Sequence, residues 1–269
     1  MLKDGLYPVH SKFNRVWNFR HSNYLVSVVA EQVGPGPLNL VADALDHASP
    51  ESLKVRGEVI SINSAVVDSR HALVYDSSME FGRDRFVPQP CLEIFQRTLL
   101  ESQPEAGLGF LLGGPLAQGR ESSFRRAFQD RLRTGVALIF EGRAIEGVCK
   151  IRGCGYGLTP SGDDFIAGVL FGLNLVGVTR GESDRSTIDA IHEAARGESL
   201  FSNTMLRLAR EGRPFGLLRS VLESLLDSGV NEAEIIVRSQ KLFEVGETSG
   251  SDLATGLLMT LMGGEIRCS

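Results

Sequence analysis

The chain is poor in aromatic residues, in closely paired cysteines and in net positive charge, and each shortage removes a class of function. Aromatics make up 7% of its 269 residues, and no Lys/Arg run is interleaved with them. With 28 Lys and Arg against 33 Asp and Glu, the formal net charge is −5. No nucleic-acid partner is expected, because gripping a phosphate backbone needs a basic footprint. Cys91, Cys149, Cys154 and Cys268 match neither a zinc ribbon nor a Cys-x-x-Cys redox pair, which suits a reducing, cytoplasmic compartment. His10, His21, His47, His71 and His192 are scattered and form no metalloprotease-type pattern, so histidine acid–base chemistry is not expected. No uninterrupted apolar run reaches about 18 residues, and Met1 to Arg20 is broken by charges and by Pro8. Neither a membrane span nor an export signal is expected.

What remains is an ordinary globular composition, 42% hydrophobic and 23% charged, on a chain long enough for two domains. Residues 1–90 read as β-rich. Residues 24–33 are an apolar, β-branched run ending in Gly34-Pro35-Gly36-Pro37; residues 53–59 alternate, residues 60–67 continue in β-branched residues, and residues 71–75 offer a further strand. After Pro88 and Pro90 the spacing becomes helical. Helices are expected over 123–132, 136–150, 164–176, 186–196, 202–210, 215–226, 232–245 and 253–262, with Gly197, Gly212 and Gly229 as C-terminal stops and Asn231 with Glu234 as a capping box. The fold class is therefore α+β, a β-rich barrel or sandwich-like domain over 1–90 followed by a helical domain over 91–269.

The densest chemistry lies in Arg152-Gly153-Cys154-Gly155-Tyr156-Gly157-Leu158-Thr159-Pro160-Ser161-Gly162-Asp163-Asp164, just ahead of an apolar helix. Alternating glycines let backbone amides face a ligand, and hydroxyls beside a helix N-terminus add donors suited to a small anion. A bare cap needs one hydroxyl or acid, whereas this loop supplies Thr159, Ser161, Asp163 and Asp164. Two acids beside a bound anion repel it unless they cap the helix or hold a bridging cation such as Mg²⁺. No other cofactor is indicated.

The pattern returns as Thr248-Ser249-Gly250-Ser251-Asp252-Leu253 followed by Gly256, which aligns with Thr159, Ser161-Gly162-Asp163-Asp164-Phe165 and Gly168 once Pro160 is skipped. Two loop-to-helix junctions then meet at one site, with Asp164 and Asp252 in corresponding places. The candidate catalytic acids are Asp163, Asp164 and Asp252. Candidate substrate-binding residues are Gly155, Gly157, Thr159, Ser161, Gly162, Thr248, Ser249 and Gly250, and Asp164 with Asp252 are the candidate metal ligands. Both following helices are apolar nearly all round, as buried central helices are. Cys154 reads as a small loop-filling residue, and Leu200 to Thr204 as a helix cap.

The stretch Gly155 to Phe165, with Gly246-Glu247-Thr248-Ser249-Gly250-Ser251-Asp252, resembles the AllH-like family, bacterial proteins also labelled carboxylases. Gly34-Pro35-Gly36-Pro37-Leu38 and the helix from Ser202 to Gly212 stand where that family places them. The chain departs from it at Glu247, where the family carries histidine. The resemblance implies a subunit of an oxamate carbamoyltransferase working with an FdrA-like partner and a further subunit in allantoin nitrogen catabolism. That reaction interconverts oxamate plus carbamoyl phosphate with oxalurate plus phosphate. The Ser-Thr-Arg-Thr motif of ordinary carbamoyltransferases is absent, so that fold is not implied. The loops themselves also admit a biotin-independent carboxylase or ATP-dependent enzyme, or a non-catalytic scaffold or ligand-sensing subunit. A Gly-x-x-x-x-Gly-Lys-Ser/Thr loop is absent, which weighs against nucleotide binding.

Overall fold

A computed structural model describes residues 2–42, 50–81, 85–102, 104–113, 123–181, 184–227, 229–263 and 266. His47 and Cys268 lie outside them. The chain divides into two compact units, Met1–Ser77 and Ser78–Ser269. The first is β and the second helical, so the α+β class holds.

The first unit is a curled sheet of β1 (Gly5–Phe13), β2 (Val16–His21), β3 (Tyr24–Ala30), β4 (Asn39–Ala42), β5 (Ser52–Arg56), β6 (Val59–Ile62) and β7 (Ala65–Asp68), in the order β4-β3-β2-β1-β5-β6-β7. Two-residue turns close β1–β2, β2–β3, β5–β6 and β6–β7, as the pairings Phe13 with Val16, His21 with Tyr24, Arg56 with Val59 and Ile62 with Ala65 require. Three of these turns carry a positive φ, at Ser22, Gly57 and Asn63, which short hairpins of this twist demand. Gly57 is why residues 53–59 form two strands instead of one. The Gly34–Pro37 stretch leads into a parallel pairing of β3 with β4. Tyr7, Trp17, Phe19, Val26, Val28, Leu53 and Val55 form the sheet's own core. The strand expected over 71–75 is absent; a 3-10 turn spans Ser69–His71 instead, and Leu73 and Val74 are exposed.

The helical unit comprises, among the described residues, α1 (Gln89–Ser102), α2 (Ser123–Phe140), α3 (Ala144–Ile151), α4 (Ser161–Arg180), α5 (Arg185–Ala195), α6 (Leu200–Arg210), α7 (Gly216–Leu226), α8 (Glu232–Phe243) and α9 (Ser249–Leu261), with a short 3-10 segment at Leu108–Leu112. The break expected near residue 134 falls instead at Gly142, whose φ of 87° ends α2. Gly135 is kept inside α2 because Ile151 and the Gly147 carbonyl of α3 leave no room for a Cβ. Asn231 caps α8 by accepting from the Glu234 N–H at 3.2 Å. Gly212 ends α6 at φ 62°, whereas Gly197 and Gly229 keep ordinary φ.

At the centre lie α4 and α9. Helix α4 is long and apolar enough to cross a membrane by length and composition, yet 72% of its apolar window is buried inside the protein. Phe165, Ile166, Val169, Leu170 and Phe171 meet Leu253, Ala254, Leu257 and Leu258 in one core.

Candidate functional site

The contact between α4 and α9 is reciprocal. A Cβ at Gly168 would overlap the Leu253 carbonyl, and one at Gly256 would overlap the Phe165 carbonyl. Phe165 and Leu253 are aligned positions of the repeated motif, as are Gly168 and Gly256. Six residues earlier the two copies match again, each against its own preceding helix: Gly162 presses on the Ile151 carbonyl that ends α3, and Gly250 on the Leu242 carbonyl near the end of α8. Gly162 N–H donates to Cys154 O at 2.8 Å, and Gly250 N–H to Val245 O at 2.9 Å. The repeat is thus two copies of a helix, a loop and a buried helix, crossing about a local two-fold. Gly168 and Gly256 are required for the backbones of α4 and α9 to come this close.

The crossing brings the polar residues together. Thr159 Oγ1 donates to Asp164 Oδ2 at 3.0 Å and lies 3.1 Å from Ser249 Oγ. Ser249, from the second junction, reaches across to the Asp164 carboxyl, while Ser161, from the first, reaches across to Asp252. Thr248 stands to Asp252 as Thr159 stands to Asp164. Asp252 Oδ1 accepts from the Leu108 N–H at 2.8 Å. Its Oδ2 is buried and completes no hydrogen bond, although the Ser161 and Thr248 hydroxyls lie near enough to favour the ionised form.

Both carboxyls are held toward protonation. Asp164 is 6% exposed, and burial pushes its carboxyl well above the ordinary carboxylate range, against the pull of Ser249 and Thr159, with the charges of Asp252 and Asp163 adding to the rise. Asp252 is 0% exposed, and burial raises it to about 6. Burial thus favours the protonated form of both carboxyls, and the Asp252 charge adds to the effect at Asp164.

The other expected residues take different places. Asp163 accepts from Gly153 N–H at 2.7 Å and so ties the long loop to its helix. Gly155, at φ 126°, packs on Ser161 N, and Gly157, at φ 94°, lies in the open with room around it. Tyr156 between them is 81% exposed and tilts toward Phe124 at 6.4 Å. The Cys154 thiol is pushed up by burial, which suits its loop-filling role. Ser199, rather than Ser202, caps α6, and its hydroxyl donates to Leu158 O at 3.3 Å, fixing α6 to the loop. Among the described residues, no group of three or more His, Cys, Asp or Glu could hold a metal.

Sequence reasoning missed the segment 104–108. Gly107 sits where a Cβ would lie 3.4 Å from Asp252 Oδ1, and the next amide supplies that oxygen's hydrogen bond. A backbone N–H has no residue signature, so only the glycine hinted at it.

The segment from the end of α3 to the end of α9 holds both junctions, and it is the part that comparison with known families identifies. Residues 151–261 match the family described as oxamate carbamoyltransferase subunit AllH. The AllH resemblance carried by the two motifs is borne out over this region. No curated protein matches the chain, and no solved structure does.

Proposed function

We propose that this chain is the AllH-type subunit of an oxamate carbamoyltransferase, interconverting oxamate plus carbamoyl phosphate with oxalurate plus phosphate together with an FdrA-like and a further subunit. The observation that carries the reading is the reciprocal Asp164–Asp252 pair, set where two loop–helix junctions cross inside the AllH-matched segment. Its rigid helical supports suit preorganised chemistry. The exposed stretch around Gly157 receives a small anion, and Asp164, less deeply buried than Asp252, takes the proton that the oxamate amide nitrogen loses as it bonds to the carbamoyl carbon and phosphate departs, and returns it to that nitrogen in the reverse direction. The work belongs to cytoplasmic purine nitrogen catabolism.

The test is the reconstituted complex, run from oxalurate and phosphate with carbamoyl phosphate as the readout. Asp164→Asn should lower turnover about a hundredfold or more, with assembly and circular dichroism unchanged. Full turnover in that variant sinks the reading.

A second reading is favoured by one fact, the deep burial of both carboxyls. There the pair is an internal clasp, and the chain completes a partner's active site without touching the reacting atoms. Asp164→Asn would then lose activity only in step with loss of the assembled complex on gel filtration.

A further inference from the structure

We propose that the Asp164–Asp252 pair is a binding site for one hard divalent cation of the Mg²⁺ class. The donor set is uniform: two carboxylates and the hydroxyls of Thr159, Ser161, Thr248 and Ser249, all oxygen, with no imidazole or thiolate among them. Oxygen-only sets select Mg²⁺, Mn²⁺ or Ca²⁺ over zinc or copper.

A second observation points into the cluster. Asp252 Oδ2 is fully buried and has no hydrogen-bond partner, while the companion oxygen of the same carboxyl is satisfied by Leu108 N–H. Buried polar atoms are rarely left so, because the desolvation cost of an unmet group is the largest part of a hydrogen bond's worth. The missing partner has a definite sign. Among the described residues, the charges acting on Asp164 are those of Asp252 and Asp163, and no Lys, Arg or His acts on either carboxyl. Acid packed on acid in this helix crossing has no positive charge beside it among the described residues, and a cation between the aspartates supplies it.

Such an ion would also remove a conflict in the site. Two carboxylates repel an anionic ligand, whereas Mg²⁺ is commonly held by one or two carboxylates and completes its shell with substrate oxygens and water. The site is argued from the carboxyl pair alone and stands apart from the carbamoyl-transfer reading.

The experiment uses the isolated full chain, stripped with chelator and returned to pH 7.5. Mg²⁺, Mn²⁺ and Ca²⁺ are added at millimolar level against NaCl of equal ionic strength, and the melting temperature and calorimetric stoichiometry are read. A rise of about 5 °C with one ion per chain is expected. Asp252→Asn should fold without metal and lose the rise, and Glu146→Gln, an exposed acid of α3, should keep it. If Asp252→Asn fails to fold, Ser249→Ala serves, with binding weakened about tenfold. No shift with any of the three ions, or an undiminished shift in the variant that folds, overturns the proposal. A shift with oxamate alone and none with metal also overturns it, and makes the pair a direct acceptor of amide N–H groups.

Discussion

The two junctions share a motif and a packing rule, yet they are built for different work. In the second, the five residues 244–248 turn from α8 into α9, and its acid is sealed beneath Gly107 and Leu108. In the first, nine residues separate α3 from α4, three of its glycines have positive φ, and Tyr156 projects outward. On the proposed reading, the contrast gives anchoring to Asp252 and leaves Asp164, at 6% exposed, beside the more open loop. A repeated element can thus keep its core exchange of glycines while only one copy carries a long, exposed loop. What survives in both copies is what the crossing needs, and what differs is what the surface needs.

The crossing is where the comparison can be broken hardest. Gly168→Ala and Gly256→Ala each place a methyl on a facing carbonyl, which no rotamer change relieves. Each should cost about 3 kcal/mol or more, lowering the melting temperature by on the order of 10 °C. Because the contacts are exchanged, the two losses should be alike. A neutral result at either position would dismiss the local two-fold. Gly197→Ala, with open space around it, should stay within about 0.5 kcal/mol.

The acids give the next effect, read as stability against pH in chelator-treated protein. Asp252 titrates near 6 when folded, against an ordinary 3.8, so the folded state binds the proton more tightly than the unfolded chain does. Its contribution is fully present below about pH 4 and is lost as pH rises through 6, on the order of 3 kcal/mol in all and about half of that between pH 5 and 7.5. Asp164 acts in the same direction. Asp68, Glu146, Asp184 and Asp189, lowered by their hydrogen bonds to Arg70, Arg143, Thr187 and Arg210, act in the opposite sense at lower pH, and their exposure makes them weak. Urea unfolding at pH 5 and 7.5 should show the loss, and Asp252→Asn should flatten it. A wild-type protein that gains stability over that interval would contradict the burial of the pair.

Much of this was legible from residue types, for physical reasons that differ by position. The repeated Ser-Gly-x-Asp motif carried the pairing of Asp164 with Asp252, because helix crossings this close require glycine and because acids inside apolar helices need a reason to be there. The nearly all-apolar faces marked α4 and α9 as central. The strands β1, β2 and β4 were not resolved by pattern, since exposed charged and polar residues in β1 blur the alternation and β4 is four residues long. The change to helical spacing at Pro88 and Pro90 marks where α1 begins, whereas the compact units part between residues 77 and 78 through chain with neither period. The cover over Asp252 was invisible because it is made by backbone.

The equivalent positions 163 and 251 sharpen the contrast on a smaller scale. Asp163 holds the long loop through Gly153 N–H, whereas Ser251 Oγ only returns to Thr248 O at 2.8 Å within its own turn. Asp163→Ala should cost about 1 to 2 kcal/mol and loosen the glycine loop, seen as faster amide exchange at residues 153–158, while Ser251→Ala should cost less than about 1 kcal/mol. Equal costs would mean that the long loop is held by its glycine conformations alone.

The smallest expected change in stability is at Tyr156. Its ring is exposed and tilts toward Phe124 at 6.4 Å, so Tyr156→Ala should move stability by less than about 0.5 kcal/mol. If the first junction is the open one, the same variant should still weaken ligand binding or assembly in the reconstituted complex, because a large exposed aromatic offers contact surface whose removal costs folding little. Stability and function both unchanged would leave the access role to Thr159 and Gly157, and would shift the ligand toward the side of the loop that faces α6.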